Sequence, residues 1–149
     1  MPPVQPMSPA DLTQVLSMDR QIFGGDRSFL IHGIFASTPE YCFVCRDGAG
    51  HMRGFICGRQ GNGLVVAGPW VVSPSCPHPE LLLSALIGQA APQRLRLDVP
   101  ESQRHSLELL GHHFPFLHPR AHSWRMLRGP LMPWGLPELE LAAGTPATG

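Results

Sequence analysis

The period of the apolar positions changes along the chain, and the changes divide it into elements. Leu12, Val15, Leu16, Asp19 and Phe23 recur at near-helical spacing, with Asp19 the polar exception in an apolar row. Ser8-Pro9-Ala10-Asp11 precedes the row as a Ser cap, a Pro at the first helical position and an acid three residues on; Gly24-Gly25 ends it. A second helix is expected from Asp26, turning Phe29, Leu30, Ile34 and Phe35 toward a core and closing at Pro39.

From Glu40 the period falls to two. Tyr41 to Arg46, Arg53 to Arg59 and Leu64 to Val72 read as three strands, separated by DGAGH and QGNG, which supply the residues tight hairpin turns require. An antiparallel meander follows. Gly68-Pro69 interrupts the third strand, and because proline donates no N–H to a ladder, a bulge or bend is expected there. The apolar run then passes through the proline-studded SPSCPHP into a Leu-rich helix over Glu80 to Ala90.

Arg94 to Val99 alternates as a strand, and after a crossover helix it should lie parallel to the Leu64 strand. Pro100-Glu101-Ser102 leads into a short helix ending near Gly111, His112 to His122 reads as irregular, and Ser123 to Arg128 and Glu138 to Ala142 read as further strands. Val4 to Met7 is a candidate strand at the front. The pattern is that of an α/β protein with a mixed sheet. One domain over residues 1–149 is expected, with 130–149 a Pro- and Gly-rich tail that has room for one edge strand.

Charge narrows the function. The 149 residues carry 11 basic and 11 acidic side chains, with no basic stripe or acidic run, so neither nucleic acid nor an anionic membrane is an expected partner. No stretch reaches the roughly 18 apolar residues that span a bilayer, and MPPVQPMSPADL has neither a basic n-region nor an apolar h-region. A cytoplasmic location is expected.

The four cysteines, Cys42, Cys45, Cys57 and Cys76, do not form two close thiolate pairs in sequence, so reduced, packed thiols are expected rather than zinc. Cys42 and Cys45, three apart on a strand, would face opposite sides about 10 Å apart, too far for a disulfide. His112, His113, His118 and His122 lack helical metal-ligand spacing and read as a solvated loop. No metal is expected.

The order of elements resembles that of the GNAT N-acetyltransferase superfamily and, more narrowly, the second domain of bacterial two-domain acetyltransferases within it. The strings that carry the resemblance are DRQIFGGDRSFL (Asp19 to Leu30), GFICGRQG (Gly54 to Gly61), AGPWVV (Ala67 to Val72), LDVPESQ (Leu97 to Gln103) and WRMLRG (Trp124 to Gly129). The resemblance implies a strand meander, a parallel strand pair splayed around a cofactor cleft, and helices on both faces. It also implies transfer of an acetyl group from acetyl-CoA to the amine of a small molecule or peptide. The alternative is a non-catalytic domain serving substrate binding or contact with a catalytic partner domain; a homodimer is the other partner consistent with it.

In that superfamily the loop after the bulged strand is Gly-rich and holds the cofactor pyrophosphate with its amides. Here the matching residues, Ser73 to Pro79, contain no glycine, whereas RQGNG at Arg59 to Gly63 comes one strand too early and reads as a hairpin turn. The implied cofactor contacts are therefore the strand edge at Trp70, Val71 and Val72, the loop residues Ser75, Cys76 and His78, and Gln103 where the superfamily often has Asn. Leu109 and Leu110 stand near the position of the usual catalytic Tyr, and the one tyrosine, Tyr41, lies elsewhere. Weak acetyl-CoA binding is expected.

Two carboxylates, Asp98 and Glu101, are the candidates for the base that deprotonates an acceptor amine, a task for a carboxylate or imidazole within reach, often through water. Either would otherwise cap the following helix or hold the strand end. Arg27 is the candidate for an anionic group on the substrate, or else the partner of an internal carboxylate such as Asp19, with Asp26 as N-cap.

Overall fold

The structure is a computed structural model describing residues 2–99 and 104–117 together with the backbone of 140–142. Strand β1 (Val4–Pro6) leads into helices α1 (Leu12–Phe23) and α2 (Ser28–Ser37), then β2 (Phe43–Arg46), β3 (Met52–Gln60) and β4 (Leu64–Val72). Helix α3 (Glu80–Ala90), β5 (Arg94–Leu97), α4 (Arg104–His113) and β6 (Glu140–Ala142) complete the order. The sheet runs β1-β2-β3-β4-β5, antiparallel as far as β4 and parallel between β4 and β5, with β6 also paired to β4.

Alternation along the strands supplies two cores, one on each face. Val44, Phe55, Cys57 and Val71 point toward α1 and α2, where they meet Val15, Ile22, Ile31 and Ile34; Cys45, Ile56, Trp70 and Val72 point toward α3, where they meet Leu82, Leu83 and Leu86. Helix α3 comes close because β3 has glycines facing it. A Cβ on Gly58 would lie 2.8 Å from Leu86 Cδ1 and 3.0 Å from Tyr41 Cβ, and one on Gly54 would lie 3.0 Å from the Val71 carbonyl.

The turns form as their residues dictate. In the β2–β3 hairpin the Asp47 carboxylate accepts the N–H groups of Ala49 (2.9 Å) and His51 (3.0 Å) and the Arg53 Nε–H (2.7 Å). In the β3–β4 hairpin Gly61 N–H donates to Leu64 O at 2.7 Å, and Gly63 takes φ +72°, which favours glycine. At the start of α1, the Ser8 N–H and hydroxyl both donate to the Asp11 carboxylate, at 2.8 and 2.9 Å.

Several expectations shift. The first meander strand begins at Phe43 rather than Tyr41, because Pro39–Tyr41 forms a 3-10 turn whose Tyr41 ring packs into the core. Helix α2 starts at Ser28, with Asp26 outside it accepting the Ser28 N–H at 2.9 Å. Phe29 is 94% exposed instead of buried. At about 100° per residue it stands some 200° around the helix from Ile31, which with Ile34 fills the core. His112 and His113 belong to the last turn of α4 rather than to a loop. The proposed strand at Ser123 to Arg128 lies outside the described residues.

Candidate functional site

Strand β4 sets the geometry. Opposite Cys57 of β3 it carries two residues, Gly68 and Pro69, so the expected bulge is present: the pairing jumps from Gly58↔Ala67 to Ile56↔Trp70. Strand β5 keeps its parallel register with β4 only from Leu64↔Arg94 to Ala67↔Leu97. Beyond the bulge the same strand pairs β6, with Trp70 opposite Ala142 and Val71 opposite Glu140. The implied cofactor edge at Trp70 and Val71 thus carries a strand from the tail, and Val72 continues past it.

The side chains of Trp70, Val71 and Val72 are buried. The Trp70 indole N–H has no acceptor among the described residues, and a buried donor left unpaired costs about 1–3 kcal/mol.

The loop from Ser73 to Pro79 presents few free amides. Ser73 N–H continues the ladder to Arg53 O at 2.7 Å, and Cys76 N–H closes a turn on Ser73 O at 3.0 Å. The His78 N–H is directed at the Cys76 sulfur. Ser75 adds a hydroxyl contact to Ser73 at 3.2 Å, and His78 Nδ1 lies 3.4 Å from Glu80 Oε1 at the start of α3. With Pro74, Pro77 and Pro79 lacking N–H groups and Glu80 placing a carboxylate in the first turn, this helix end is a poor cradle for a diphosphate.

Asp98 follows the end of β5. Its Oδ1 accepts from Arg96 Nη2 at 3.2 Å and Nε at 3.3 Å, an exposed pairing between neighbours on one side of the chain. A carboxylate in that position can take a proton through water. Glu101 and Gln103 lie outside the described residues.

Arg27 lies elsewhere, at the junction of α1 and α2. Its guanidinium grips Asp19 with two hydrogen bonds, Nη2 to Oδ1 at 2.5 Å and Nε to Oδ2 at 3.1 Å, both side chains being buried. The Phe23 ring centroid lies 3.8 Å from Arg27 Cζ. A shallow depression of about 360 Å³ opens beside the pair, lined by Leu16, Ser17, Asp19, Arg20, Asp26, Arg27 and Ser28. The exposed Asp26 carboxylate there is held below its ordinary pKa by hydrogen bonds from Ser28, with Arg20 adding a smaller attraction.

A family model described as an acetyltransferase (GNAT) domain matches residues 15–133. The chain belongs to the GNAT family. Among solved structures, a GNAT-family N-acetyltransferase (YhbS) from Escherichia coli, determined with CoA, is 17% identical with a TM-score of 0.44; the likeness covers 54% of this chain. It spans about half (51%) of the length of that structure's chain. A search of curated proteins found no match.

Within this GNAT chain Trp70 to Val72 and the loop residues Ser75, Cys76 and His78 are contiguous in sequence, and Asp98 follows β5, the strand that pairs with β4 as far as Ala67. Two features escaped the linear reading. One is the indole N–H of Trp70, buried without an acceptor among the described residues; the other is the thiol of Cys45, whose Sγ lies 3.7 Å from Cys76 Sγ. No local signal links residues 45 and 76, since their meeting depends on how the loop folds back over β2. No three of His, Cys, Asp or Glu gather into a metal-binding group among the described residues.

Proposed function

We propose that this GNAT domain carries out acetyl transfer from acetyl-CoA to an amine, with the cofactor held weakly and mainly through its acyl-pantetheine end. The observation that carries this reading is the parting of β4 from β5 after Ala67, at the Gly68-Pro69 bulge. Bound acetyl-CoA would supply an activated acyl group as a thioester. Burial of Trp70, Val71 and Val72 keeps water from that part of the strand. Asp98, paired with Arg96, is the acceptor for the proton that the amine must lose before it can act as a nucleophile.

The alternative of a non-catalytic GNAT-like domain, working with a catalytic partner domain or a second copy, draws support from two observations. Loop amides are turned inward, and β6 occupies the β4 edge at Trp70 and Val71. Calorimetric titration with acetyl-CoA separates the readings. We expect binding about tenfold or more weaker than an amide-lined phosphate loop would give, a loss of roughly 1.4 kcal/mol. Low-micromolar binding would refute the weakened diphosphate end, and no binding at millimolar cofactor would leave the accessory role.

A further inference from the structure

We propose that Cys45 and Cys76 are a latent disulfide, a modification site at which a peroxide joins two thiols and ties the β4–α3 loop to strand β2. The two sulfurs are 3.7 Å apart although 31 positions separate the residues. A disulfide bond is about 2.05 Å long, so the sulfurs need approach by only about 1.7 Å. Cys45 cannot move far, because it is fully buried in β2 with Val4 opposite on one side and Gly54 on the other. Cys76 can move. It is partly exposed, lies in the loop rather than in a helix or strand, and is tethered through its own N–H to Ser73 O.

Access and position select this pair. Cys42 and Cys57 are fully buried, and they pack on the opposite, α1–α2 face of the sheet. An oxidant therefore meets Cys76 first, and the nearest thiol behind it is Cys45.

In the first step the Cys76 thiolate attacks one oxygen of hydrogen peroxide. The O–O bond breaks, the other oxygen leaves as hydroxide and is protonated to water, and Cys76 becomes a sulfenic acid. The Cys45 sulfur then attacks Cys76 Sγ and displaces hydroxide, which takes the Cys45 proton and leaves as a second water. Each sulfur loses one electron and each peroxide oxygen gains one. Burial pushes the Cys76 thiol up to about 12, with Cys45 and Glu80 adding to the rise, and burial raises Cys45 as well. Thiolate is therefore scarce at neutral pH, and the pair answers sustained rather than brief oxidation.

The test treats the full chain with hydrogen peroxide for hours, then alkylates it under denaturing conditions and maps the peptides by mass spectrometry. We expect one intramolecular link between Cys45 and Cys76, with Cys42 and Cys57 fully alkylated, and full alkylation of all four cysteines after dithiothreitol. The oxidised chain should melt several degrees higher than the reduced one, because the bond restricts the unfolded chain. In Cys76→Ser, Cys45 should stay alkylatable after the same treatment. A link through Cys42 or Cys57, a bond between chains, four free thiols after oxidation, or Cys76 carried to sulfinic acid without a link would each overturn the proposal. The mapping of the unsubstituted chain decides the matter even if a variant folds poorly.

Discussion

Replacing Arg27 by Ala should destabilise the fold rather than only weaken ligand binding. The side chain is buried, makes two hydrogen bonds to the equally buried Asp19 and stacks on Phe23. Truncation leaves the Asp19 carboxylate in the interior without its counter-charge, which costs about 3–5 kcal/mol. For a chain of this size each kcal/mol lowers the melting temperature by roughly 2–4 °C, so a fall of about 6–20 °C is expected. Circular dichroism melts, checked for reversibility, measure it. Arg27→Lys should fall in between, because one ammonium cannot reproduce the two-pronged geometry. The double variant Asp19→Leu/Arg27→Met removes both charges and should recover most of the loss, since replacing a buried ion pair with packed apolar residues is often neutral or stabilising. A melting temperature within about 1 °C of the parent in Arg27→Ala, accompanied by lost ligand binding, would refute this reasoning and move Arg27 to substrate recognition.

The remaining predictions concern the sheet and the thiols. The hydrogen bond from Arg53, assisted by the His51 and Ala49 amides, holds the Asp47 carboxyl at about 2. Because its folded value lies below the unfolded one, its stabilising contribution is present above about pH 4 and is lost as pH falls from there toward 2. Asp47→Asn should flatten the urea midpoint against pH across that window, and an unchanged slope would count against it. Gly58→Ala places a methyl 2.8 Å from Leu86 Cδ1 and should cost about 1–2 kcal/mol through overpacking; Gly48→Ala, with open space around its site, should stay within about 0.5 kcal/mol. Equal melting temperatures for the two would contradict the close approach of α3 to β3. Elemental analysis of chain purified without chelator should find no stoichiometric zinc, and one zinc per chain would overturn the reading of the cysteines as packed thiols.

What the sequence determined by itself was local. Glycine and aspartate in DGAGH, the proline in Leu64–Val72, and the Leu-rich row from Glu80 carry their conformational consequences within a few residues, so the hairpin, the bulge and α3 were legible before any packing was known. Asp19 was legible for a related reason: a carboxylate in an apolar row demands a counter-charge, and Arg27 eight residues on supplies it. Tertiary structure decided the rest. Helix α2 is apolar on nearly every side, so its sequence did not say whether Phe29 or Ile31 would face inward until the sheet beneath it filled with Ile31 and Ile34. Similarly, the strand at 140–142 was readable as a strand, but its partner was not, because an edge hydrogen-bonds through backbone groups common to every residue; only the departure of β5 from β4 after Ala67 left Trp70 and Val71 to be paired. The meeting of Cys45 with Cys76 had the same origin, in a loop folding back over a strand far away in sequence.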